Sequence, residues 1–137
     1  MTTERTIKIC GKEVSMRYCA ATETSYEKLA DKSAAIFVPT IEKDEKGNVT
    51  NVINNATTDD FIKLGISAII AAYSRKNEEM PVTAEDIIYN ASADEVMELI
   101  KTVSELRKEW YTIPSVVDVT DTRTEDEKEA TEQEEKN

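Results

Sequence analysis

The least polar stretch of the chain runs from Thr58 to Lys76. It carries Phe61, Ile62, Leu64, Ile66, Ala68, Ile69, Ile70, Ala72 and Tyr73 at helical spacing on nearly every face, interrupted only by Lys63, Ser67 and Ser74. Such a pattern predicts a core helix over 58–76 that needs neighbours on more than one side. A membrane span wants roughly 20 unbroken apolar residues, and this run is too short and too interrupted for one.

Towards the N-terminus the period changes to two, and the alternation predicts a β-hairpin over 5–18. With Gly11-Lys12 at the centre of a two-residue II′ turn, Ile9 faces Val14, Ile7 faces Met16 and Arg5 faces Tyr18. One face then collects Ile7, Ile9, Val14, Met16 and Tyr18; the other collects Thr6, Lys8, Ser15 and Arg17. A slip of one residue would mix the two sets. In this register Cys10 sits beside the turn and Cys19 beyond the far end of the second strand. At roughly 3.3 Å per residue they lie about 20 Å apart, past disulfide reach. Both cysteines read as structural thiols.

Between hairpin and core helix the pattern weakens. Residues 22–32 form a short helix, with Thr24 and Glu27 at capping-box spacing and Tyr26, Leu29 and Ala30 as its apolar stripe. Ala34 to Val38 turn apolar before Pro39 ends any regular helix, and Phe37 is expected in the core. Residues 40–57 are a polar loop or a small hairpin around Lys46-Gly47-Asn48, with Ile41 on one side and Val49, Val52 and Ile53 on the other. Asp44, Lys46 and Asn48 imitate a calcium loop, but a lysine fills a ligand position and the twelfth-position glutamate is missing.

After the core helix, Pro81 stops the chain and Thr83 caps a helix over 83–90, with Glu85 and Asp86 favourable in its first turn. Ser92 and Glu95 form a second capping box that opens a helix over 92–112. Its stripe is Val96, Met97, Leu99, Ile100, Val103, Leu106 and Trp110, and Met97 and Trp110 are expected in the core. Asp94, Glu95, Glu98, Lys101, Glu105, Lys108 and Glu109 face water. Ile113-Pro114 closes the fold and Val116, Val117 and Val119 are expected to pack back. The expected class is mostly α (α+β), an N-terminal hairpin followed by a small helical domain around one buried helix. It occupies residues 1–119 as one globular domain, with an acidic disordered tail over 120–137.

Charge narrows the partners. The net charge is −11, and the segment after Pro114 supplies −6 of it. With no basic run to displace counterions, nucleic-acid backbone binding is disfavoured. No anchor for a membrane is expected. Two cysteines and no signal-peptide pattern suggest a reducing cytoplasm. The sequons at Asn48, Asn55 and Asn90 are therefore chance matches.

Chemistry is sparse as well. The chain has no histidine and three glycines, which removes histidine-based nucleophile pairs, histidine-ligated metals and glycine-rich phosphate cradles. Asp59-Asp60 resemble an acid/base couple, yet they start the core helix behind a Thr57 or Thr58 cap, where the helix dipole favours acids. No catalytic, cofactor-binding or metal-ligating residue emerges, and the chain does not read as an enzyme.

A hairpin around Cys10-Gly11-Lys12-Glu13 runs into Tyr18-Cys19-Ala20-Ala21-Thr22-Glu23 and a first short helix. This layout resembles bacteriophage tail assembly chaperones of siphophages and prophages. The stretches Ala56-Thr57-Thr58-Asp59-Asp60-Phe61 and Val103 to Tyr111 look like the variant found in phage-derived proteins of gut Bacteroidetes. The resemblance covers about residues 5–117, and the excursion over 40–57 is longer than that family leads one to expect. It implies a non-enzymatic protein of the host bacterial cytoplasm that keeps a tape-measure protein soluble and recruits tail-tube subunits. It also implies contacts through the acidic tail and the exposed surface of the last helix, without a residue-level motif, and leaves room for a homo-oligomer. Many such chaperones are made in two lengths by frameshifting, and Glu135-Lys136-Asn137 can be spelled GAA-AAA-AAC, which contains the slippery heptamer A-AAA-AAC. Two other readings compete: a structural component of the virion, and an acidic regulatory interaction protein. The charge lies in a tail rather than on a folded face, which disfavours the second.

Overall fold

The computed structural model describes residues 3–112. Its order is β1 (Thr3–Ile9), β2 (Lys12–Tyr18), α1 (Ala20–Ala30), a 3₁₀ turn (Ala34–Phe37), β3 (Thr40–Lys43), β4 (Val49–Ile53), α2 (Thr58–Lys76), α3 (Ala84–Asn90) and α4 (Ala93–Thr112). The fold is α+β and mostly helical, with the hairpin leading. The expected domain end near 119, the return of Val116, Val117 and Val119, and the acidic tail over 120–137 lie outside the described residues.

The first hairpin divides its side chains as the alternation requires. Ile7, Ile9, Val14, Met16 and Tyr18 are all buried. Its register, however, is displaced by two residues from the expected one: Ile9 pairs with Lys12, Ile7 with Val14 and Arg5 with Met16. The central turn residues are Cys10 and Gly11, at φ 52° and 75°, the two positive angles of a I′ turn rather than a II′ turn. A shift of two restores every side chain to its own face, so the hydrophobic pattern has no power to distinguish the two registers.

Helix α2 is the centre of the molecule. It packs against α1, β2 and α4, while α4 also covers β1 and β2. Leu64, Ile66, Ala68 and Ile69 are fully buried. Ser67 is buried too, and its hydroxyl donates to the Lys63 carbonyl at 2.8 Å, so a polar interruption in the sequence costs nothing in unpaired groups. Gly65 lets α4 come close: a Cβ there would stand 2.6 Å from Leu99 Cγ. Asn77 ends α2 in the left-handed conformation at φ 57°, which asparagine tolerates.

Several local expectations change. Helix α1 begins at Ala20, not Thr22, and Cys19 is its N-cap residue. The Thr22 hydroxyl accepts from the Cys19 N–H at 3.1 Å and donates to the Arg17 carbonyl at 2.7 Å, so the chain is already turned at Cys19. Thr24 and Glu27 make no capping box; the Glu27 carboxylate instead accepts from the Ala34 N–H at 2.8 Å, starting the 3₁₀ turn. In the α1 stripe Tyr26 is buried but Leu29 is exposed. Of the two readings of residues 40–57, the small hairpin is the one observed, β3 paired with β4, with a register shift at Glu42/Lys43. On α4, Met97 is exposed at 68%. It lies one residue from Val96 and two from Leu99, at the margin of the stripe, and no element among the described residues closes over that margin. Trp110 is half-buried, its ring 5.5 Å from that of Tyr18.

Candidate functional site

Four places in the described residues gather polar or exposed apolar groups. The first is the carboxylate of Asp60, which is fully buried at the start of α2. Its Oδ2 accepts from the Thr57 N–H and hydroxyl, each at 2.9 Å. Its Oδ1 accepts from the Tyr26 hydroxyl at 2.9 Å and from Lys32 Nζ at 3.0 Å. In return the Asp60 N–H donates to Thr57 Oγ1 at 3.1 Å. Burial alone would raise the pKa of Asp60; the bonds from Thr57, Lys32 and Tyr26 outweigh it and hold the carboxyl below the usual range. Burial, reinforced by the Asp60 carboxylate, pushes the Tyr26 hydroxyl up. Each carboxylate oxygen accepts two bonds, so the cluster fixes α1 and Lys32 just beyond it to the head of α2. Asp59 faces outward and pairs with Lys63 at 3.0 Å. The two acids do not converge.

The second place is the turn of the first hairpin. Gly11 N–H donates to Glu95 Oε2 at 3.3 Å, Lys12 Nζ to the Pro81 carbonyl at 3.2 Å, and Cys10 Sγ to the Asp86 carbonyl at 3.4 Å. Thus the turn is gripped by α3 and the head of α4. Burial, with Glu95 and Asp86 nearby, raises the Cys10 pKa, which keeps the thiol protonated and poorly nucleophilic. Cys10 and Cys19 are both free thiols.

At the far end of the hairpin, Glu23 Oε2 accepts from the hydroxyls of Tyr18, at 2.8 Å, and Tyr111, at 2.6 Å. Burial first, and Glu23 second, raise both tyrosine pKa values. Arg5 reaches across to Glu105 and Glu109 on α4. These contacts tie the C-terminal half of α4 to the first hairpin and α1.

The fourth place is an open groove of about 320 Å³ between the outer hairpin and the body. Phe37, Pro39, Phe61 and Val52 make its apolar walls, and Asn54, Ser104 and Arg107 supply polar groups. Phe37 and Phe61 meet edge to face, with centroids 5.1 Å apart. The Arg107 guanidinium lies 4.7 Å from the Tyr111 ring centroid and 5.9 Å from that of Phe37. Its Nε is buried and has no hydrogen-bond partner among the described residues. Neither Arg107 nor this juxtaposition stood out in the sequence. Its one signal is position: Arg107 falls four residues after Val103 and three before Trp110, on the edge of an apolar stripe where a lysine or glutamate would be unremarkable.

Asp44, the first residue of the imitation calcium loop, uses Oδ1 to accept from the Lys46 and Asn48 N–H groups, both at 2.9 Å. It shapes a turn. No group of three or more potential metal ligands occurs among the described residues. Likewise, no helix there is long and apolar enough to cross a membrane. No protein-family model, curated protein or solved structure matches the chain.

Proposed function

We propose that this protein is a non-enzymatic tail assembly chaperone of a phage or prophage, acting in the host bacterial cytoplasm. It binds a tape-measure protein and recruits tail-tube subunits to it. The observation that carries this reading is apolar surface displayed on an acidic folded domain. Ile41, Val49, Val52 and Ile53 stand exposed on the outer hairpin, and Ile88, Tyr89 and Met97 stand exposed on α3 and α4. Surface of that kind serves protein contacts, and the chain's net charge of −11, of which −6 lies after Pro114, opposes self-association while it is displayed. Among the described residues, the buried polar cluster at Asp60 is accounted for by capping and anchoring. The wording of the first hairpin, Cys10-Gly11-Lys12-Glu13, adds the resemblance to the chaperone family.

Pull-down from low salt with a fragment of the tape-measure protein encoded beside this gene tests the reading. Recovery of the full chain is the expected result. If nothing is recovered while the protein remains folded, the chaperone role is wrong. Stoichiometric presence in purified particles would instead identify a virion component.

A further inference from the structure

The outer hairpin is an unusual thing for a small domain to keep. Every residue of β3 and β4 is exposed, and an isolated two-stranded hairpin is at best marginally stable in water. Ile41 and Val52 are cross-strand partners and therefore share a face, the face whose Val52 lines the groove. Opposite stand Phe37 and Phe61, the first buried and the second half-buried. The groove is thus apolar on both sides, and a volume of about 320 Å³ lies within the roughly 300–1,000 Å³ of ordinary binding pockets.

Arg107 gives the groove a charge preference. Arg5, Arg17, Lys32, Lys63 and Lys76 each hold a carboxylate. Arg107 has none within 4.0 Å among the described residues, as is true of exposed bases such as Arg75 and Lys101, but unlike them it is half-buried and lines the groove. The half-buried guanidinium lies against aromatic rings and reaches the Tyr111 hydroxyl, while its Nε has no hydrogen-bond partner among the described residues. A carboxylate satisfies it best, because the guanidinium fork matches two carboxylate oxygens.

We infer that this groove binds a segment of a partner protein that presents a large aliphatic or aromatic side chain beside an aspartate or glutamate. The apolar side chain enters between Val52 and the Phe37–Phe61 pair, and the carboxylate meets Arg107. The inference names the chemistry of the partner and rests on the reading of this protein as one that binds another protein. A second copy fits less well, because two chains of net charge −11 repel.

Short random peptides displayed on ribosomes and selected against the immobilised full-length protein test it. Enriched peptides are expected to carry Leu, Ile or Phe next to Asp or Glu. A synthetic peptide of that sequence should lose roughly tenfold or more in affinity for Arg107→Glu, and the reversed variant should select lysine or arginine at the acidic position. Val52→Asp, on an exposed strand, is the second variant and should weaken the same peptide while leaving the melting curve intact. Enrichment without a carboxylate, or binding indifferent to both variants, overturns the inference. Concentration-dependent self-association that Val52→Asp abolishes overturns it in favour of a second copy. If peptide binding survives deletion of residues 113–137 but strengthens severalfold, the chain's own C-terminal segment is the natural occupant and the inference is again overturned. Failure of the tape-measure pull-down with acidic peptides still selected would leave the groove standing and remove only the chaperone role.

Discussion

The first hairpin and the outer hairpin are each two antiparallel strands joined through a glycine at positive φ, 75° at Gly11 and 85° at Gly47. Yet Ile7, Ile9, Val14, Met16 and Tyr18 of the first are buried, whereas all nine strand residues of the second are exposed. Strand pairing is a local event that either sequence manages. Burial depends on whether one face is uniformly apolar and whether something lies opposite. In β1 and β2 the apolar side chains all fall on one face, under α2 and α4. In β3 and β4 they divide: Ile41 pairs with Val52 on one face, Ile53 pairs with Thr40 on the other, and a register shift displaces Val49. Even the edges differ. On β2 the Ser15 N–H donates to the Tyr73 hydroxyl of α2 at 3.0 Å, which covers an edge that would otherwise invite pairing.

The sharpest way to break this contrast is to make one substitution in both hairpins. Ile9→Asp should abolish cooperative unfolding, as should Ile69→Asp in α2. Each buries an unpaired charge at a cost of several kcal/mol, against about 5–15 kcal/mol of total stability. Ile41→Asp, on the outer hairpin, should stay within about 0.5 kcal/mol of wild type. Thermal melts followed by circular dichroism decide it. An Ile41→Asp protein that fails to fold would mean the outer hairpin belongs to the core.

The next effect concerns a titrating group that the first layer of the fold buries and the outer hairpin lacks. Asp60→Asn should cost about 2–4 kcal/mol, combining a weakened cap with a Tyr26 hydroxyl left without its charged acceptor. Lys32 adds little, because its side chain is 47% exposed and its charge is screened by solvent. The folded pKa of Asp60 is depressed. Its contribution is therefore fully present above the unfolded value, about 3.9, and is lost as pH falls below that towards the folded value. Wild type should weaken in acid below about pH 4; Asp60→Asn should show a shallower slope there. Equal slopes would show that Asp60 is not the linked group.

A smaller effect tests the contact between the two helices that roof the first hairpin. Gly65→Ala gains about 1 kcal/mol of helix propensity but drives a methyl group into Leu99, an overpacking worth about 1–3 kcal/mol. A net loss of about 1 kcal/mol is expected. Pairing it with Leu99→Ala should give less than the sum of the two single losses, and strict additivity in urea melts would mean that α4 simply moves aside. Smallest of all, Glu98→Lys on the wet face of α4 should change stability by no more than about 0.5 kcal/mol, since among the described residues its side chain makes only the 3.3 Å contact from the Thr102 hydroxyl.

Much of this architecture is legible in the sequence where a local signal and a global one agree. The bounds of α2 fall at Thr58 and Lys76, as its apolar run and the Thr57 cap indicate. Ser92 and Glu95 exchange their capping bonds at 3.0 and 3.2 Å, and Thr83 caps α3 with Asp86 at 3.0 Å. These are contacts between residues three apart, so the chain specifies them without reference to the rest of the fold. The same rule misleads at Thr24 and Glu27, where the spacing is right but Cys19 and Thr22 have already started the helix.

The sequence by itself determined which residues pair locally and which faces are apolar: the first hairpin and its parity, the core helix, and the caps of α2, α3 and α4. Tertiary structure alone decided the rest. A two-residue register shift keeps every face unchanged, so only the turn, held between α3 and the head of α4, fixes it at Cys10-Gly11. Met97 is exposed because no element among the described residues covers it, and whether Asp60 is solvated depends on Tyr26 and Lys32 arriving from 34 and 28 residues away. The groove at Arg107 joins the 3₁₀ turn, β4, α2 and α4. No periodicity within one segment encodes a juxtaposition of four, because spacing along a chain describes one element's faces and packing chooses which faces meet.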